Sequence, residues 1–162
     1  MEPPDPSGRP RQVRGTKRIV AMAQRFWQQA ERDVELAPLL VQPRGYYLAA
    51  YLAHQAAEKA LKAACWHLRG EEPPWKHALR STADLLVLSP DNIPDSIQTA
   101  ISLLNPILER SRYPSGNVED PIPADSVGEE EARVALQAAG EIMKWVKQLL
   151  QERPCSRRPR TS

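Results

Sequence analysis

Residues 46–70 read YYLAAYLAHQAAEKALKAACWHLRG, and this stretch decides how the rest of the chain is read. Ala, Leu, Glu, Lys and Gln dominate it, no proline interrupts it, and Gly45 and Gly70 stand at its ends. Such side chains lose little freedom in a helix, so the composition predicts one unbroken helix of about six or seven turns. Tyr47, Tyr51, His54, Glu58, Leu61, Cys65 and Leu68 recur at steps of four and three, which places them on a single stripe. Ala49, Ala53, Ala56, Ala60 and Ala63 form a second stripe, small enough to let a neighbouring helix approach closely. Gln55, Lys59 and Lys62 make a more polar third face. The odd residue is Glu58, beside His54 in the largely apolar stripe. A carboxylate partly buried there needs a hydrogen-bonding or cationic partner. Lys62 reaches it one turn along the helix, and a group from another helix is a second candidate.

Working outward, Thr16 is placed to cap a first helix. Its apolar positions Ile19, Ala23, Phe26, Ala30, Val34, Ala37 and Val41 keep the helical period, and Pro38 should kink or end it. Gln42–Gly45 is a turn into the central helix. After Gly70, a loop through Pro73 and Pro74 leads to a short third helix over 77–88, with Leu79, Leu85, Leu86 and Leu88 available for packing. Pro94 opens a fourth helix striped by Ile97, Ile101, Leu104 and Leu108, and Pro106 predicts a kink about one turn before Arg110. Residues 113–124 carry Pro114, Gly116, Pro121 and Pro123 and read as a long loop, a kind that is often functional. Asp125 or Ser126 should cap the last helix. Glu129, Glu130 and Glu131 favour its positive end, and Ala135, Ala139, Ile142, Val146 and Leu149 give its core stripe. The fold class is therefore all-α: an up-and-down four-helix bundle with an additional short helix, five helices in all. Tyr46, Trp66, Trp75 and Trp145, taken as exposed, are candidates for a dimer interface, with ordinary core packing the commoner role for any one of them.

Composition bounds the function. The chain has 162 residues, enough for one domain with a real core, and a net charge of +2. That charge is unevenly spread: residues 19–152 hold 13 Lys/Arg against 18 Asp/Glu, a net of −5, and the excess base lies in the two ends. The domain reading is a disordered Pro/Arg-rich tail over 1–17, a bundle over 18–152 and a basic disordered tail over 153–162. An acidic bundle argues against a broad phosphate-binding face, although a small cleft with one or two Arg is compatible with it. Cys65 and Cys155 show no metal or disulfide spacing, so neither a metal nor a cofactor is expected, and a reducing cytoplasm fits. No apolar run reaches the length of a membrane span.

The string HQAAEKALKA at 54–63, preceded by Tyr47 and followed by Gly70 and His77, resembles the signature helix of the HEPN domain family. Trp27, Ala30, Glu31, Asp33 and Ala37 resemble the pattern of that family's first helix. Arg112-Tyr113-Pro114 resembles the RYP that closes the fourth helix in many small prokaryotic members. The three segments occur in the family's order and span roughly residues 18–150. The resemblance implies a small helical bundle, a homodimer, a link to nucleotides or RNA, and often a partnership with a minimal nucleotidyltransferase. In toxin–antitoxin pairs of that kind the HEPN member is the toxin or the partner being modified.

Many HEPN proteins are metal-independent ribonucleases with an Arg followed a few residues later by His, the cation holding the scissile phosphate and the imidazole moving the 2′-OH proton. Here Tyr113-Pro114-Ser115-Gly116-Asn117-Val118 follows Arg112, and His54, His67 and His77 all lie upstream. No catalytic residue is assigned on that pattern. An enzyme built from His54 or His77 with Arg112 would be a ribonuclease with a displaced site. The candidate ligand-binding set is Arg112, Tyr113, Glu58, Lys59, Lys62, Gln55 and His77. Arg112 can hold a phosphate bidentately and Tyr113 can offer a face to a base. In the competing structural reading Arg112 pairs with Glu58, Lys59 and Lys62 are solvated, His54 is a satisfied core histidine, and His77 caps the third helix or orders the loop before it. The chain is then a purely structural dimerisation module. Asp33 and Glu58 are a further pair that could converge.

Overall fold

The computed structural model describes residues 11–75 and 77–153. Both expected tails fall largely outside them, as does Cys155. Among the described residues every regular element is helical. The helices are α1 (Arg11–Leu36), α2 (Tyr46–Arg69), α3 (Leu79–Asp84), α4 (Asp95–Leu104), α5 (Ile107–Arg110), α6 (Pro123–Ser126) and α7 (Glu129–Glu152), with 3-10 turns at Ala37–Val41 and Pro90–Asn92. The all-α bundle stands as expected, with the fourth helix divided and a short helix added in the long loop.

The contacts fix the direction of each long helix. Arg18 lies over the Trp66 ring at 5.6 Å, and Gly70 lies against Ile19, so α1 and α2 run antiparallel. The Tyr46 hydroxyl donates to Glu129 at 3.2 Å, bringing the starts of α2 and α7 together. Arg110 meets Glu131, so α4–α5 runs against α7. The result is an up-down-up-down bundle of α1, α2, α4–α5 and α7, with α3 as an appendage.

The central helix sits in the middle because of its small side chains. Ala49, Ala53, Ala56 and Ala60 are wholly buried and Ala63 nearly so, between α1 on one side and α7 on the other. The core stripe of α7 is buried at Ala135, Ala139, Ile142, Val146 and Leu149. Pro38 ends α1 and starts the 3-10 turn, as a residue without an N–H must. Gly45 is required by close approach: its N–H donates to the Leu40 carbonyl at 2.8 Å, and a Cβ there would also sit 2.8 Å from that oxygen. Gly70 ends α2 at φ 65°, the left-handed region that glycine enters without penalty.

Several expectations are corrected. Thr16 lies inside α1 and does not cap it. The third helix stops at Asp84, and Leu88 beyond it points into solvent. Gly128, with no side-chain cap, precedes α7 in place of Asp125 or Ser126, because Pro123 spends those residues on α6. Trp66 and Trp145 are buried and Tyr46 is half-buried, so of the four proposed interface aromatics only Trp75, 80% exposed, is presented to solvent. No helix among the described residues is long and apolar enough to cross a membrane.

Candidate functional site

Helical spacing puts Gln55 and Lys62 each about one turn from Glu58 on α2, and the loop before α3 brings His77 over them. Lys62 Nζ donates to Glu58 Oε1 at 2.6 Å. His77 Nδ1 lies 3.0 Å from Oε1 and 3.1 Å from Oε2 of the same carboxylate. Gln55 Nε2 donates to Oε2 at 3.4 Å. Burial alone would push the Glu58 carboxyl up, but the hydrogen bonds and charges of Lys62 and His77 outweigh it and hold the group below its ordinary value. A carboxylate only accepts, so His77 Nδ1 carries the proton. Its Nε2 then sits on the outer edge of a half-exposed side chain. Thus His77 is a partner of Glu58 rather than a cap of α3, whose N-cap is Ala78.

The expected Arg112–Glu58 pair does not form. The Glu58 oxygens are taken by Lys62, His77 and Gln55, and Arg112 is exposed with no carboxylate partner among the described residues. Lys62 is buried, not solvated, and its amine is the main cation on Glu58. Lys59 is engaged elsewhere. Its Nζ donates to Asp33 Oδ2 at 2.6 Å, and Gln29 Nε2 donates to Asp33 Oδ1 at 2.8 Å. Lys59 therefore ties α2 to α1, and Asp33 and Glu58 end in separate pairs on a shared polar chain through Gln55.

His54 is a second correction. Its side chain is wholly buried, and neither ring nitrogen has a hydrogen-bond partner among the described residues. Nδ1 stands 3.9 Å from Glu58 Oε2, beyond hydrogen-bond reach. Burial lowers its pKa from 6.5 to about 4, against a smaller upward pull from Glu58, so the ring is neutral. Cys65, further along the same stripe, has its thiol pushed up to about 11 by burial and is chemically quiet.

His77 also lines a cleft of about 730 Å³ whose other walls are α5, the loop after it and α6. Arg110 at the end of α5 and Arg112 and Tyr113 just beyond it line this cleft. Arg110 is held by Glu131. Asp120 accepts from Ser115 Oγ at 2.7 Å and from Asn117 Nδ2 at 3.1 Å, which shapes the loop. The Arg112 guanidinium stands 5.2 Å from the Tyr113 ring centroid, covering one face and leaving the other. Of the candidate residues, Arg112, Tyr113 and His77 thus meet in one cleft, with Glu58, Lys62 and Gln55 behind His77, and Lys59 is directed to α1. Among the described residues no group of three His, Cys, Asp or Glu side chains is placed to hold a metal ion.

An all-α bundle with a buried, cation-held glutamate at its centre and an Arg-Tyr cleft at one end defines the class of this protein. Residues 23–149 match the HEPN domain, and the chain belongs to that family. Two solved structures are similar. TT1696 from Thermus thermophilus is 29% identical at a TM-score of 0.66, covering 79% of this chain and 98% of its own. ST0689, an archaeal HEPN homologue, is 30% identical at a TM-score of 0.63, covering 78% of this chain and 97% of its own. No curated protein matches the chain.

Proposed function

We propose that this HEPN protein is a homodimeric binding module. Its cleft holds the phosphate of a nucleotide, and it serves in the cytoplasm as the partner of a minimal nucleotidyltransferase in a toxin–antitoxin-like pair. The observation that carries the ligand half of this reading is the meeting of Arg112, Tyr113 and His77 in one cleft, with the Arg112 guanidinium uncommitted to any carboxylate among the described residues. A guanidinium offers paired donors to phosphate oxygens. Membership of the family supports the partner and dimer halves.

The test is a thermal-shift titration with ATP, GTP and their monophosphates. A binding nucleotide at 100 times its Kd adds about 2.7 kcal/mol of stability by mass action. Arg112→Ala should melt as the wild type does when no nucleotide is present, because Arg112 is exposed, and should lose most of the nucleotide response. An unchanged response in the variant removes Arg112 from the site.

A second reading, a ribonuclease with a displaced site, draws on the Glu58-oriented imidazole facing the same cleft as Arg112. His77 Nε2 would take the 2′-OH proton while Arg112 holds the phosphate. Wild-type protein should then cleave a short RNA in EDTA, with His77→Ala slower by about 10²–10⁴. RNA left intact by the wild type ends this reading and leaves the binding one standing. A purely structural dimerisation module is the third alternative, and the Arg112–Glu58 lock it relied on is absent.

A further inference from the structure

The charges of the cleft are unequally committed. Arg110 is occupied by Glu131, and both Asp120 oxygens accept hydrogen bonds from its own loop. Three groups are left facing a ligand: the Arg112 guanidinium, the His77 imidazole and the Glu109 carboxylate, which makes no hydrogen bond or ion pair among the described residues. The one uncommitted permanent cation among the described cleft residues therefore shares the space with the carboxylates of Glu109 and Asp120, in a bundle whose residues 19–152 already carry 18 acids against 13 bases.

That balance suits one phosphate and penalises several. A single phosphate finds the paired donors of Arg112. A second or third brings more negative charge beside two carboxylates with no further uncommitted cation among the described cleft residues to meet it. Glu109 needs donors, since an ionised carboxylate can only accept. The vicinal hydroxyls of a ribose are two donors at a spacing a carboxylate takes, the arrangement by which acidic residues hold ribose in dinucleotide sites. The open face of Tyr113, flanked by Leu108, Pro114 and Pro121, is an apolar surface for a base. A cleft of about 730 Å³ is of small-molecule size.

Building on the nucleotide reading above, we infer that the cleft takes a nucleoside monophosphate, with its phosphate on Arg112 and its ribose hydroxyls on Glu109. The test is isothermal titration calorimetry in EDTA with AMP, GMP, ATP, GTP and the 2′-deoxy monophosphates, on wild type and Glu109→Gln. Glu109 is exposed and its carboxylate unpaired among the described residues, so the variant should fold normally. One monophosphate should bind at least about tenfold more tightly than its triphosphate, and removal of the 2′-hydroxyl should cost about tenfold. In Glu109→Gln both ratios should shrink toward one. A triphosphate that binds more tightly than its monophosphate, or ratios unchanged in Glu109→Gln, overturns the inference and leaves nucleotide binding intact. Absence of binding by every nucleotide overturns the nucleotide reading and this inference with it.

Discussion

Glu58→Ala should cost about 3–5 kcal/mol of folding stability, the largest single-residue effect expected in this protein. The reason lies in what the substitution leaves behind. Lys62 is only 8% exposed at its side chain, and its amine has its 2.6 Å contact to Glu58 as its hydrogen bond. Removing the carboxylate strands that charge in the Ala-lined centre of the bundle and releases His77 and Gln55 as well. Domains of this size have total stabilities of about 5–15 kcal/mol, so a visible fraction of the variant should be unfolded at moderate temperature. Replacing both partners is a different experiment. Glu58→Met with Lys62→Met removes the charges together, and apolar substitution of a buried pair is often neutral or stabilising. Urea unfolding of the two single variants and the double variant closes a cycle whose coupling energy should be large. The exposed Arg32–Glu35 pair serves as contrast, worth under about 1 kcal/mol. A Glu58→Ala cost below about 1 kcal/mol, or a double variant weaker than either single, would mean that the pair does not hold the bundle centre together.

The fold is legible where its causes are local. The Ala stripe of α2, the glycines at its ends and the breaks at Pro38 and Pro106 are properties of neighbouring residues, and each appears where its chemistry puts it. The Glu58–Lys62 contact is readable for the same reason, being one helical turn long. The partner from outside the helix is His77 and not Arg112, because sequence shows that Glu58 needs company without showing which loop passes over it. The loop after Gly70 turns His77 back onto α2, and Arg112, beyond the end of α5, lines the cleft instead. The burial of Trp66 and Trp145, which takes them from the interface set into the core, has a similar origin. Trp66 extends the buried face toward Arg18 of α1, and Trp145 adds to the α7 stripe, so both faces are wider than the residues that define their period. Glu109 escapes a sequence reading because nothing in the chain marks a carboxylate as unpartnered until its neighbours have found theirs. His54 is hard to judge because a histidine surrounded by Ala has no nearby sequence signal for whether its nitrogens are satisfied.

That unsatisfied histidine gives the second large effect, an acid limb in the stability curve that begins well above the carboxylate range. In the unfolded chain His54 takes a proton near pH 6.5, and in the folded protein only near pH 4. Between those values the unfolded state holds more protons, so stability rises with pH across that window. Stated in the other direction, the contribution is complete above about pH 6.5 and is lost on acidification toward pH 4, amounting to about 3 kcal/mol. Glu58 adds a separate loss at lower pH. Its carboxyl is held below 4.5 in the folded protein, so its contribution is full above 4.5 and disappears as the pH falls through the folded value. The His54 limb is therefore met first. His54→Leu should isolate it. At pH 7.5 the substitution should be neutral or mildly stabilising, because an apolar side chain replaces two nitrogens that have no partner. At pH 4.5 the variant should be more stable than the wild type by about 2–3 kcal/mol, since nothing at position 54 then takes a proton on unfolding. Urea unfolding of both proteins from pH 7.5 to pH 4 measures the divergence directly. Parallel curves would show that His54 titrates alike in the two states, and the closed Ala-lined packing around it would then not be what holds the ring neutral.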